Sequence, residues 1–321
     1  MKYIGLHRQQ ARNNFRTALL LCMFPCLVVV MTFLFSLLLV RFTSEYHGYA
    51  SMWEQSVSVF LHWTPYVLTG VAIWFMIAYF ANTAIIKSAT GARTLQRKEN
   101  KRVYNLVENL CMAQGMAMPR VNVIEDDSLN AYASGINNRT YTVSLSRGII
   151  NKLDDAELEG VIAHELAHIR NRDVRLLIVS IVFVGIFAML SQFAFRSLLY
   201  APRQNRNSGK GGGGVIVMLL IALVVAAIGY FFATLMRFAI SRKREYMADA
   251  AAAEMTRQPQ ALAEALRKIS RNPNIAAVTR NDVAQLFIEH PREKNQFAAG
   301  ISGLFATHPP IEKRIAILEQ F

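Results

Sequence analysis

The chain has 321 residues, 53% of them apolar, and carries a formal net charge of +13 from 35 Lys and Arg against 22 Asp and Glu. An apolar share of that size, with a mean hydropathy of +0.24, argues against an ordinary soluble domain. Three Cys without a framework spacing exclude a disulfide scaffold, and basic residues gathered at the ends of apolar runs argue against nucleic-acid binding.

The apolar excess is localised in runs free of charge. The first is the 24 residues between Arg16 and Arg41, and the second the 32 between Glu54 and Lys87. Arg175 to Arg196 encloses 20 more, and Lys210 to Arg237 encloses 26. Each matches or exceeds the roughly 20 residues that cross a bilayer as a helix. The expected spans are 17–40, 64–84, 176–195 and 215–236, about four hydrophobic helices. The first is longer than a signal-peptide core and lacks a small-x-small cleavage site after Val40, so it reads as a retained anchor.

Lys and Arg set the orientation. The tail before the first run holds Lys2, Arg8, Arg12 and Arg16 and no acid, and residues 87–120 hold seven basic and two acidic side chains. Both are expected on the cytoplasmic side. Arg196, Arg203, Arg206 and Lys210 disagree, because they link the third and fourth runs, and those two runs could form a hairpin that does not fully cross. Basic flanks of this kind sit against anionic lipid headgroups.

The expected organisation is an anchor region over 1–86 and a cytoplasmic catalytic part over 87–175. A hydrophobic helical hairpin follows over 176–236 with a Gly-rich linker at 201–214, and a second catalytic part fills 237–321. Within 87–175, Val121–Glu125 and Tyr141–Leu145 are rich in β-formers, and Asn137-Asn138-Arg139 between them suits a turn. Asp154 and Glu157 make a capping-box pattern that opens a helix reaching about Arg172.

That helix carries His164-Glu165-Leu166-Ala167-His168. The two imidazoles lie one turn apart on one face, so both can reach a single Zn²⁺, and Glu165 lies where a general base is needed. Leu158, Val161, Ile162 and Ile169 make the helix partly buried, and two His and a Glu there would be costly without a partner such as a metal. Asp173 stands nine residues after His164, with its own backbone and Arg172 in reach.

Beyond the fourth run comes Ser241-Arg242-Lys243-Arg244-Glu245-Tyr246-Met247-Ala248-Asp249. Glu245 could be a third metal ligand, and Asp249, one turn on, could accept the far N–H of a ligating His. A solvated charged turn at a membrane boundary is the plainer alternative for both.

His164-Glu165-x-x-His168 followed by Glu245-x-x-x-Asp249 resembles the gluzincin arrangement. The wording from Ser241 to Asp249, with the apolar runs around it, resembles the HtpX-like membrane zinc proteases, relatives of the CAAX prenyl proteases. The likeness runs from about Lys87 to the C-terminus and includes Asn130-Ala131-Tyr132-Ala133-Ser134-Gly135 and Thr307-His308-Pro309-Pro310. It implies a mainly α integral membrane protein with a zincin-type catalytic domain and a small β-sheet or hairpin. It also implies one Zn²⁺ per chain on His164, His168 and Glu245, with Glu165 as general base and Asp249 behind a ligand.

The resemblance further makes the stretch from Asn130 an edge strand, where Asn130, Ala131 and Ala133 would contact an extended peptide; a plain hairpin covering the helices is the alternative. His308 and Arg314 would contact substrate or the transition state, or else serve capping and packing. The expected partners are polypeptides, in particular membrane proteins, and the lipid bilayer, with no nucleic acid. The implied role is quality control of misfolded or damaged membrane proteins, a stress response, at the bacterial inner membrane. Two other readings are processing of lipidated tails, for which four apolar runs are few, and a membrane scaffold with a degenerate zinc site, which would have no need of Glu165.

Overall fold

The computed structural model describes residues 6–43, 49–199, 212–238, 242–271, 288 and 309–321. In chain order its elements are α1 (Leu6–Thr43), α2 (Tyr49–Thr90), β1 (Arg93–Thr94), α3 (Lys101–Ala113), β2 (Arg120–Ile124), β3 (Ala131–Ser134) and β4 (Thr142–Ser146). They continue with α4 (Arg147–Lys152), α5 (Asp155–Arg170), α6 (Asp173–Leu199), α7 (Gly212–Phe238), α8 (Arg242–Thr256), α9 (Pro259–Ile269) and α10 (Ile311–Leu318). His308 and residues 201–211 of the expected linker lie outside the described residues.

The chain divides into two compact units. One comprises Ala18–Phe80 and Val179–Arg237, the other Met1–Thr17, Ala81–Ile178 and Phe238–Phe321. The first holds the apolar stretches of α1, α2, α6 and α7. Phe24 stacks on Phe183 at 4.0 Å between ring centroids and meets Phe187 edge-on at 5.6 Å. Phe33 meets Trp53 and Phe60 in the same edge-on manner. Leu61, Trp63, Phe80 and Phe193 stay exposed, as side chains facing lipid would. Among the described residues, Gln10–Phe42, Ser51–Ile77 and Asp173–Phe193 are long and apolar enough to cross a membrane, whereas Ile216–Phe231 of α7 is shorter.

The second unit contains a four-stranded sheet in the order β1-β2-β4-β3, with helices beside it. Val121–Ile124 and Thr142–Leu145 are strands, yet they pair in parallel, with Val121 opposite Val143 and Val123 opposite Leu145. The expected turn at Asn137 instead closes the antiparallel hairpin of β3 with β4, where the N–H groups of Thr140 and Tyr141 both donate to the Asn137 carbonyl. The difference has a simple cause. Ala-Tyr-Ala-Ser is a weak β-former, and β3 is recruited by pairing with β4 rather than by propensity. That pairing leaves β3 at the sheet edge.

Helix α5 runs through the core of this unit. Its capping box is complete: the Asp154 carboxylate accepts from the Glu157 N–H at 2.9 Å and Glu157 accepts from the Asp154 N–H at 3.0 Å. Leu158, Val161, Ile162 and Leu166 are out of water, each contributing about 1.5–3 kcal/mol. The helix ends at Arg170, before the Arg172 predicted from sequence, because Arg172 takes a left-handed conformation with φ 62°. Asp173 then starts α6.

Candidate metal centre

Two helices carry the donors. Helix α5 presents His164 and His168 one turn apart, and α8 presents Glu245 from its first turn. The helices meet through Ala167, Ala248 and Ala251, whose short side chains let the backbones approach closely enough for Glu245 to face the imidazoles. The Nε2 atoms of His164 and His168 are 3.1 Å apart, and the Glu245 carboxylate lies 3.7 Å from the first and 3.6 Å from the second.

These separations fit one small cation. Zinc–ligand bonds of about 2.0–2.2 Å in a tetrahedron place donors roughly 3.3 Å apart. The donor chemistry, two imidazoles and a carboxylate within 4.8 Å of one another, also suits zinc.

Each imidazole is held from behind by a carboxylate. His164 Nδ1 lies 2.9 Å from Asp249 Oδ1, and His168 Nδ1 lies 3.2 Å from Asp173 Oδ2. With the proton on Nδ1, both Nε2 lone pairs point into the centre. Asp249 sits one helical turn beyond Glu245 on α8. Asp173 reaches His168 only because the left-handed turn at Arg172 folds the start of α6 back toward α5. Asn13 of α1 ties that turn down, donating to the Asn171 carbonyl at 2.8 Å and to Asp173 Oδ1 at 2.6 Å. Spacing alone did not assign Asp173 this bond, since the turn that makes it depends on a backbone conformation unusual for Arg.

Arg314, on α10, is fully buried. Its Nε and Nη2 donate to the two oxygens of Asp249 at 2.8 and 2.7 Å, and its Nη1 donates to the Ile288 carbonyl at 3.0 Å. The structure thus brings Arg314 to the carboxylate behind His164. Nothing in the spacing of α10 signalled so complete a burial.

Charge and burial compete throughout the centre. Burial works against a charged His164, but the facing carboxylates of Asp249 and Glu245 outweigh it and lift its pKa to about 9. Burial also works against an ionised Asp249, but the Arg314 charge and its bonds hold that pKa down at about 2. Glu165 is buried beside the imidazoles, and burial raises its proton affinity against the pull of His164 and His168. The Ala133 N–H of β3 lies near its carboxylate and also opposes that rise.

The edge of β3 therefore faces the centre. In an antiparallel strand the N–H and C=O of alternate residues share a side. Ala131 accepts the Ile288 N–H at 2.9 Å on the same open side from which Ala133 meets Glu165. Asn130 is committed to the sheet, its N–H donating to Ser146 Oγ at 3.1 Å and its carbonyl accepting from the Ser146 N–H at 3.0 Å.

Comparison with known proteins agrees with this chemistry. A curated protease HtpX homolog of Bacteroides fragilis is 65% identical over the full length of both chains. Another, from Dictyoglomus thermophilum, is 40% identical over 77% of this chain and 80% of its own. Among solved structures, Ste24p of S. mikatae matches with a TM-score of 0.46 and 18% identity, over 90% of this chain and 61% of that one. The profile described as Peptidase family M48 matches residues 97–321, which contain every donor of the centre, and the chain belongs to that family of metalloproteases.

Proposed function

We propose that this protein is a zinc endopeptidase of a bacterial inner membrane. Its active site faces the cytoplasm, and its substrates are misfolded or damaged membrane proteins. The observation that carries the reading is the convergence of His164, His168 and Glu245, with Glu165 buried alongside. His164, His168 and Glu245 hold the metal, and Asp249 and Asp173 hold the Nδ1 protons of the two imidazoles. A bound zinc supplies a Lewis acid for the scissile carbonyl and lowers the pKa of water toward neutrality. Glu165 takes a proton from the attacking water and delivers it to the leaving amine. Its raised proton affinity suits it to both steps.

The β3 edge binds substrate as an added strand. The backbone bond from Ile288 to Ala131 supports this, because the edge there already pairs with a residue from elsewhere in the chain. Main-chain pairing reads few side chains, so specificity is broad. The membrane setting is supported by the three apolar helices, and the cytoplasmic orientation by the basic residues before the first span and over 87–120.

The test is zinc content together with casein cleavage for the full chain in detergent, as wild type and Glu165→Gln. The expected result is about one zinc per chain in both, with cleavage only in the wild type. Cleavage by Glu165→Gln at the wild-type rate would remove Glu165 from the mechanism, and a chain without zinc would overturn the ligand assignment.

A further inference from the structure

Beside the metal centre lies a group of arginines that the peptidase chemistry does not use. Arg244, next to Glu245 on α8, is only 6% exposed. Its Nε has no hydrogen-bond partner, and its Nη1 makes one long bond of 3.4 Å to the Asp173 carbonyl. Among the described residues no carboxylate forms an ion pair with it. A guanidinium removed from water without a counter-charge is costly, so this one is poised for an anion.

Two more arginines share its field. Arg16 on α1 feels the like charges of Arg12 and Arg244 and the single opposing charge of Asp173. Asp173 is already engaged, its Oδ1 by Asn13 at 2.6 Å and its Oδ2 by His168 at 3.2 Å. Arg16 thus feels two like charges against one carboxylate. Arg12 is exposed, Arg16 half-buried and Arg244 buried, so the cluster leads inward from solvent.

Its position on α1 selects the kind of anion. Arg16 is the last charged residue before the 24 uncharged residues 17–40. Where a helix passes from water into hydrocarbon, the anions present in quantity are lipid phosphates. Phe15, exposed beside Arg16, offers apolar surface to an acyl chain.

We propose that Arg12, Arg16 and Arg244 bind the phosphate of an anionic phospholipid headgroup. The planar guanidinium fork matches phosphate oxygens in pairs, and the unpartnered Nε of Arg244 supplies a donor at the buried end. The bound lipid braces the metal centre, because Arg244 adjoins Glu245 and bonds the backbone of Asp173, which holds His168. The binding itself does not depend on the metal chemistry.

The experiment is native mass spectrometry of the full zinc-loaded chain, released from nanodiscs of phosphatidylcholine with a minor fraction of phosphatidylglycerol. Wild type should retain phosphatidylglycerol in preference to phosphatidylcholine, and Arg16→Gln and Arg244→Gln should each retain at least about ten-fold less. Arg97→Gln, which removes an exposed charge paired with Glu108, should match wild type. If Arg244→Gln fails to fold, the half-exposed Arg16 carries the test. Equal retention of the two lipids, or retention unchanged in Arg16→Gln, overturns the proposal. Displacement of the lipid by millimolar inorganic phosphate would assign the cluster to a free anion and overturn the lipid assignment.

Discussion

Arg314 grips Asp249 with two parallel hydrogen bonds of 2.8 and 2.7 Å, and both side chains are out of water. Asp249 in turn lies 2.9 Å from His164 Nδ1. A guanidinium on α10 thereby orients an imidazole on α5 through a carboxylate on α8. Arg314 also borders the metal donors directly, its Nη2 3.4 Å from His164 Nε2 and its Nη1 3.8 Å from Glu245 Oε2.

Breaking the relay at its far end leaves Asp249 buried without its guanidinium. Arg314→Gln should cost about 3–5 kcal/mol of stability, read as thermal unfolding in detergent. Arg314→Lys should recover part of that loss, since it restores the charge but not the fork. Wild-type stability in Arg314→Gln would mean that Asp249 finds its counter-charge elsewhere.

The two carboxylates behind the imidazoles should also act on metal affinity. Asp249→Asn and Asp173→Asn should each weaken zinc binding by about 10–100-fold, measured by competition with a chelator. Unchanged affinity in Asp173→Asn would reduce its contact with His168 to a packing detail.

Metal binding should also depend on pH. The pKa of His164 is raised from 6.5 to about 9, so the metal-free fold gains stability from its proton. That gain is complete below 6.5 and disappears as pH rises through about 9. Zinc must displace the same proton, so its apparent affinity should climb over this window. Asp249, lowered from 3.8 to about 2, stabilises the fold above 3.8 and loses that contribution as pH falls through about 2. Chelator competition and urea unfolding of the metal-free chain between neutral and alkaline pH should move in opposite directions.

The α5–α8 contact sets the reach of Glu245. Ala248 is fully buried against Ala167, so Ala248→Leu should overpack the contact. The expected cost is about 1–3 kcal/mol, with lower zinc occupancy. Full occupancy in a destabilised variant would separate helix spacing from ligand geometry.

Gly135 closes the hairpin that aims β3 at Glu165. Its φ is +107°, and a Cβ there would collide with the Thr140 carbonyl. Gly135→Ala should cost about 1–3 kcal/mol and impair peptide cleavage more than zinc binding. Equal losses in both assays would show that the hairpin supports the whole centre.

The sequence by itself determined the parts governed by local periodicity. A helical period of 3.6 residues puts His164 beside His168 and Glu245 beside Asp249, and a charge-free run long enough to span a bilayer identifies itself. The capping box at Asp154 likewise marks the start of α5. Tertiary structure alone decided what depends on distant partners. It joined Glu245 to the histidines through the alanines of α5 and α8, and turned Asp173 onto His168 by way of a left-handed arginine. It also set β2 parallel to β4, and buried Arg314 against Asp249. No local pattern encodes these relations, because each arises when segments far apart in the chain exclude water together and must satisfy one another's charges.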